Sequence, residues 1–133
     1  MARRLLLLLL SLPLAATASV RIDCHTTYGG ETHTLSARPV SSPYSVSHHS
    51  IGSYFLFKVV FQDRPADIAS VKIYVYADRD EGPTPIHQAT HPWPLPVITS
   101  THAYGFTGQQ RVYETLRDGE LIYWCEQVKE GRP

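Results

Sequence analysis

The two cysteines of this 133-residue chain lie near its opposite ends, Cys24 close to the start and Cys125 close to the end. In an oxidising compartment two lone cysteines usually pair, and this pair would close nearly the whole chain into one loop. The chain-entropy model gives such a loop a stabilisation of roughly 4–5 kcal/mol. A free thiol and an intermolecular bridge are the alternatives. Two cysteines exclude both a multi-bridge scaffold and a cysteine-based zinc site.

The N-terminus has the pattern of a secretory signal peptide. Two arginines and a run of leucines precede a small-residue cleavage pattern that ends just before Ser19. The apolar run is interrupted by Pro13 and is shorter than the ~20 residues of a membrane-spanning helix. We therefore expect residues 1–18 to be removed on export. Residues 19–133 then have the size of a single domain.

Composition narrows the possible partners. The full chain has a formal net charge of +0, and loss of the leading arginines makes the remainder slightly acidic. No basic stripe typical of a nucleic-acid-binding protein is present. The sequence contains no asparagine and therefore no N-glycosylation sequon.

Strand patterns dominate the middle and the end of the chain. The clearest segment, 54–61, is apolar on both faces, as expected of a central strand. The segment 70–77 alternates apolar and polar residues, and the turn at 117–119 predicts a hairpin. The strands predicted from these patterns are 20–24, 54–61, 70–77, 97–98, 111–116 and 120–128.

Two other segments complete the expected fold. The polar stretch 26–36, which precedes Pro39, predicts one or two helical turns. Charged residues and prolines predict a long surface loop over 78–90. Together the patterns predict an α+β fold, in which a short N-terminal helix packs on a central antiparallel β-sheet.

The last third of the chain carries a recognisable order of short motifs. His91-Pro92-Trp93-Pro94-Leu95 is followed by an Arg-Val-Tyr segment that begins at Arg111, and then by a hairpin around Asp118 and Gly119. This order and spacing resembles the C-terminal half of the guanyl-specific fungal ribonucleases. The resemblance implies a microbial-ribonuclease-like fold.

The same resemblance implies that catalysis has been lost. The family uses a glutamate base, a histidine acid and an arginine that holds the phosphate. Arg111 falls on the arginine, whereas Pro92 falls on the glutamate, and Gln127 or Glu126 falls on the histidine. The guanine-reading loop of the family relies on asparagine, which this chain lacks. The pattern is similar to that of the ribonuclease-like secreted effectors of plant-pathogenic fungi.

The leading functional prediction is therefore a secreted, non-catalytic effector or virulence protein that binds a host protein or host RNA. It would act as a monomer, without cofactor, metal or membrane, and its translocation into host cells stays open. The expected binding face comprises His91, Trp93, Tyr104, Phe106 and Arg111.

Several alternatives stay open at this stage. His91 could serve as a relocated base, with Arg111 as the phosphate clamp, in an active secreted ribonuclease. The protein could also be an apoplastic module that binds a carbohydrate or a hydrolase. In structural terms, Trp93 could belong to the core, and Arg111 could form an ion pair with Glu114 or Glu126 rather than hold a ligand.

Overall fold

The computed structural model of the protein describes Pro13, residues 18–96 and residues 103–131. Within these residues the chain forms two four-stranded antiparallel sheets, in the orders β2-β1-β8-β7 and β3-β4-β5-β6. The signal peptide predicted for residues 1–18 lies outside the described part except for Pro13 and Ala18. The strands are β1 (Ser19–Tyr28), β2 (Glu31–Ala37), β3 (His49–Ile51), β4 (Phe55–Gln62), β5 (Ser70–Arg79), β6 (Gly82–Pro92), β7 (Gln110–Glu114) and β8 (Gly119–Glu130).

The predicted α+β fold is wrong, because no helix packs on a sheet in the described residues. The segment 26–36, expected to be helical, is the hairpin between β1 and β2. Gly29 and Gly30 form its two-residue turn with φ of 60° and 81°, the left-handed conformation that tight hairpins require. Among the described residues, the single helical element is the 3-10 turn Pro43–Ser45.

The predicted surface loop over 78–90 is also wrong. Residues 82–92 form β6, which pairs antiparallel with β5 from Gly82 to Pro92 with one register shift opposite Val75 and Tyr76. Because β6 lies at the edge of its sheet, its prolines can occupy positions whose missing N–H groups would face solvent. The prolines therefore identify an edge strand here rather than a loop.

Five of the six predicted strands correspond to strands of the structure, and the first of them, 20–24, lies within β1. The segments 54–61 and 70–77 correspond to β4 and β5, which pair with each other in register. The hairpin predicted around 117–119 joins β7 to β8, with Asp118 at φ 54° in its turn. The predicted pair at 97–98 lies outside the described residues.

The core lies between the inner faces of the two sheets. Phe57 of β4 and Tyr123 of β8 meet there, with their ring centroids 5.3 Å apart in an edge-on arrangement. Every residue of β4 except Lys58 is buried, including those on its outer face. The buried apolar members of this core are Ile22, Cys24, Ile51, Phe55, Phe57, Val59, Phe61, Val71, Ile73, Val75, Val112, Leu121, Tyr123 and Cys125.

A buried carboxylate ties the two sheets together at one end. Glu114, at the end of β7, accepts hydrogen bonds from Arg79 Nη2 at 3.0 Å and from the backbone N–H of Arg117 at 2.9 Å. Its side chain is 1% exposed. The Arg79 guanidinium and the backbone donors hold the pKa of Glu114 below its usual range. The β7–β8 turn is thereby fixed to the end of β5.

The predicted disulfide between Cys24 and Cys125 is present. The two residues are direct partners on β1 and β8, the central strands of the first sheet. Their Cα atoms lie 4.1 Å apart and their sequence separation is 101 residues. The bridge therefore joins strands that are already hydrogen-bonded and closes most of the chain into one loop.

Removal of the bridge by Cys24→Ala with Cys125→Ala should lower the free energy of unfolding by about 4 kcal/mol, because the unfolded chain regains the entropy of a ~100-residue loop. Urea titration of the double variant against the oxidised wild type measures the difference. An unchanged midpoint would show that the bridge adds no stability beyond the strand pairing.

In the residues that the structure describes, no helix has the length and apolar character that a membrane crossing requires.

Candidate functional site

A pocket of about 510 Å³ opens at one edge of the second sheet. One wall is the end of β6 with the residues that follow it, and the other wall is the loop 103–108. Here it is called the His91 pocket. Its described lining residues are mainly apolar, and they are His91, Pro92, Leu95, Pro96, Ala103, Tyr104, Gly105, Phe106, Thr107 and Gly108.

The loop wall of the His91 pocket is fixed to the disulfide-bearing strand. Phe106 N–H donates to the Cys125 carbonyl oxygen at 3.0 Å, and Cys125 N–H donates to Thr107 Oγ1 at 2.9 Å. Within the loop, Gly108 N–H donates to the Tyr104 carbonyl oxygen at 3.0 Å. These bonds give the wall a defined backbone before any ligand arrives.

Gly105 makes this close approach possible. Its φ is +57°, and a Cβ at this position would lie 2.0 Å from the Cys125 carbonyl oxygen. Gly108 has a similar φ of +67°, but its Cβ would meet only the Gln110 side chain, at 4.0 Å. The two glycines therefore share a backbone conformation and differ in the space around them.

Gly105→Ala should destabilise the protein more than Gly108→Ala. Each variant bears the cost of a left-handed non-glycine residue, about 1–2 kcal/mol. Gly105→Ala should lose on the order of 2 kcal/mol more, because its methyl group overlaps the β8 backbone. Thermal and urea unfolding of the two variants side by side measures the difference, and equal losses would contradict the close contact.

His91 supplies the one imidazole among the described residues that line the His91 pocket. Its ring meets that of Phe106 edge-on, with the centroids 5.1 Å apart, and burial lowers its pKa. A second half-buried histidine, His87, lies on the same strand, and its Nε2 is hydrogen-bonded to the Tyr123 hydroxyl at 2.7 Å. Burial also lowers the pKa of His87 and raises that of Tyr123 to about 12.

These two histidines should make the protein less stable in mild acid. Because their folded pKa values lie below the ordinary value of 6.5, the unfolded chain binds protons first as the pH falls. Stability should therefore decrease with falling pH from near 6.5 down to the folded pKa values. Urea midpoints between about pH 7.5 and about pH 5 measure this slope. The slope should be shallower in His87→Gln with His91→Gln, and an identical slope would contradict the assignment.

The structure brings three of the five predicted binding residues together. His91, Tyr104 and Phe106 all line the His91 pocket. Trp93 instead packs against Phe61, with their ring centroids 4.5 Å apart. Arg111 lies on β7, where its Nη1 is 2.6 Å from Glu120 Oε1. The pair with Glu120 differs from both partners that sequence reasoning had considered for Arg111.

The positions aligned with ribonuclease catalytic groups are divided between the two sheets. Pro92 ends β6 in the second sheet, whereas Gln127 lies on β8 in the first, opposite Ile22. The two-sheet fold also differs from the helix-on-sheet fold that the resemblance implies. Ribonuclease roles are therefore not transferred to these residues.

Sequence reasoning missed a polar cluster on the outer face of the first sheet. His25 stacks on Trp124 with the ring centroids 4.1 Å apart. Its Nε2 is 2.8 Å from Glu126 Oε1, and its Nδ1 is 3.0 Å from Thr34 Oγ1. The alternation of polar residues along β1 and β8 was the sequence pattern that could have indicated this cluster. A hydroxyl, an imidazole and a carboxylate follow each other here, but they lie on a sheet surface outside the lining of the His91 pocket.

A second part of this outer face is an ion-pair network. Arg21 forms ion pairs with two carboxylates: its Nε is 2.9 Å from Asp23 Oδ1, and its Nη1 is 2.6 Å from Glu130 Oε1. Arg38 Nη2 also lies 2.8 Å from Glu130 Oε1. The three donors Arg38, Ser19 and Arg21 lower the pKa of Glu130 to about 2. The network joins the ends of β1 and β8. In the described residues no group of three or more histidine, cysteine, aspartate or glutamate side chains is placed to hold a metal ion.

Comparison of the chain with protein-family models, with curated proteins and with solved structures gave no match. Function must therefore be inferred from the site itself.

Proposed function

We propose that the protein is an exported, non-catalytic binding domain that recognises a partner protein through the His91 pocket. Because the sequence resembles secreted effectors, the proposed partner is a host protein outside the producing cell. The observation that carries the proposal is the preformed pocket itself, with an exposed tyrosine at its rim.

Tyr104 has the features of an interface anchor. It is 43% exposed, lines the pocket, and rests edge-on against Trp124 with the ring centroids 6.0 Å apart. Tyrosines beside desolvated pockets are common hot spots of protein interfaces, because they bury a large area with few rotatable bonds. An apolar side chain of the partner would enter the pocket and pack against Tyr104 and Phe106.

The chemistry of the lining supports a protein partner over RNA. Affinity for a nucleic-acid backbone needs cations, and the described lining contains no lysine or arginine. The predicted phosphate clamp, Arg111, is paired with Glu120 elsewhere on the surface. Catalysis by His91 would need a second acid, base or nucleophile beside it, and the described lining has no carboxylate or thiol.

The test is partner capture by immobilised residues 19–133 from apoplastic fluid, the compartment that the effector interpretation predicts. Wild type and Tyr44→Ala should retain the same protein, because Tyr44 is a 96% exposed tyrosine outside the pocket lining. Tyr104→Ala should retain it at least ~10-fold less, as expected for a hot spot. Thermal melts of each variant confirm that the fold is intact.

Other outcomes would replace the proposal. Equal retention by Tyr104→Ala would remove the pocket from the interface. RNA cleavage that disappears in His91→Gln or Arg111→Ala would instead support the secreted ribonuclease, and retention on cell-wall polysaccharide would support a carbohydrate-binding module.

A further inference from the structure

The strand β2 is an edge strand whose outer side is free of strand partners in the described residues. It has seven residues, and within the described part of the chain β1 is its one strand partner. Edge strands of this kind present unpaired backbone donors and acceptors, and they can template the pairing of another strand.

The strand register shows which groups of β2 face outward. Cys24 and Cys125 have the short Cα separation, 4.1 Å, of a non-hydrogen-bonded antiparallel pair. The backbone of Cys125 accordingly bonds to the loop on its other side, at Phe106 and Thr107. The backbone groups of Cys24 must then point toward β2, where Cys24 faces Leu35.

Alternate residues of β2 therefore direct their N–H and C=O groups away from β1. These residues are Thr32, Thr34 and Ser36, and all three are exposed. The hydroxyl groups of Thr34 and Ser36 bond back to His25 and Asp23 on β1. Their side chains are thus held over the sheet face and leave the edge open.

The other sheet edges are protected in ways that β2 is not. The edge strand β6 contains Pro83, Pro85 and Pro92, which remove donors. Its register with β5 also shifts between Val75 and Tyr76, which leaves Ile86 of β6 outside the pairing. The remaining edge strands, β3 and β7, have only three and five residues. In contrast, β2 contains no proline, no lysine and no bulge, which are the usual means of blocking strand addition.

We propose that β2 pairs antiparallel with β2 of a second copy of this chain, about a two-fold axis at Thr34. In that register Thr34 lies opposite Thr34 of the second copy, and Thr32 lies opposite Ser36 of the second copy. Each such pair exchanges both of its N–H···O bonds, and the two first sheets become continuous. This dimer would replace the monomer expected from the sequence.

Self-complementarity selects a second copy over an unrelated peptide. The two-fold register places short hydroxyl side chains opposite each other on the outer face, a favourable cross-strand pairing. On the inner face Glu31 is opposite Ala37, and His33 is opposite Leu35. No two like charges are directly opposed, and the strand needs no adaptation to pair with itself.

The test is sedimentation equilibrium of residues 19–133 over a wide concentration range, with two substitutions at the proposed axis. Thr34→Pro removes only an outward N–H, so the bonds between β1 and β2 stay intact, and His33 already has the extended backbone that precedes proline. Thr34→Val keeps the N–H and loses the hydroxyl. Wild type and Thr34→Val should dimerise, and Thr34→Pro should dissociate at least ~10-fold more readily.

Amide hydrogen exchange locates the interface independently. The amides of Thr32, Thr34 and Ser36 should exchange more slowly as the wild-type concentration rises. A wild type that remains monomeric up to about 1 mM, or a dimer that forms equally well with Thr34→Pro, would overturn the proposal. Tyr104→Ala should dimerise normally, so loss of partner capture and loss of dimerisation are distinguishable results.

Discussion

The disulfide between Cys24 and Cys125 joins the two strands on which the rest of the molecule is assembled. Its residues face each other on β1 and β8, at the centre of the first sheet. Because this pair is not hydrogen-bonded to itself, the backbone of Cys125 is free to bind the loop 103–108, and the backbone of Cys24 is directed toward β2. The bridged residue pair thus lies between the His91 pocket on the side of Cys125 and the β2 edge strand on the side of Cys24.

The strands whose signal is local were predictable from sequence. β4 is apolar on both faces because it is covered on both sides, and β5 alternates because one of its faces is less buried. The β7–β8 hairpin was evident from the turn at Asp118 and Gly119. The hairpin of β1 and β2 was missed because β2 is an exposed edge strand with a polar sequence, although Gly29 and Gly30 supply a recognised turn signal.

The arrangement of strands in two sheets and the full site depended on long-range pairing. β1 lies beside β8, which no local pattern indicates. The predicted binding residues His91, Tyr104 and Phe106 do line one pocket. Trp93 and Arg111 were predicted to lie on the same binding face. Trp93 instead packs against Phe61, and Arg111 forms an ion pair with Glu120. The resemblance to ribonucleases depended on the order of short motifs along the chain. This chain has that order of motifs in a fold of two sheets.

The pairing of Ser19 with Glu130 brings the two ends of the folded domain side by side. A short linker could therefore join them, and new chain ends could be opened in an exposed turn such as the one at Gly29, at the far end of the β1–β2 hairpin. For the same reason, polypeptide segments fused to the two ends of the domain would both begin beside the Ser19–Glu130 pair. The His91 pocket is attached to β8 at Cys125, within the strand rather than at that pair. The domain is thus suited to insertion within a larger protein.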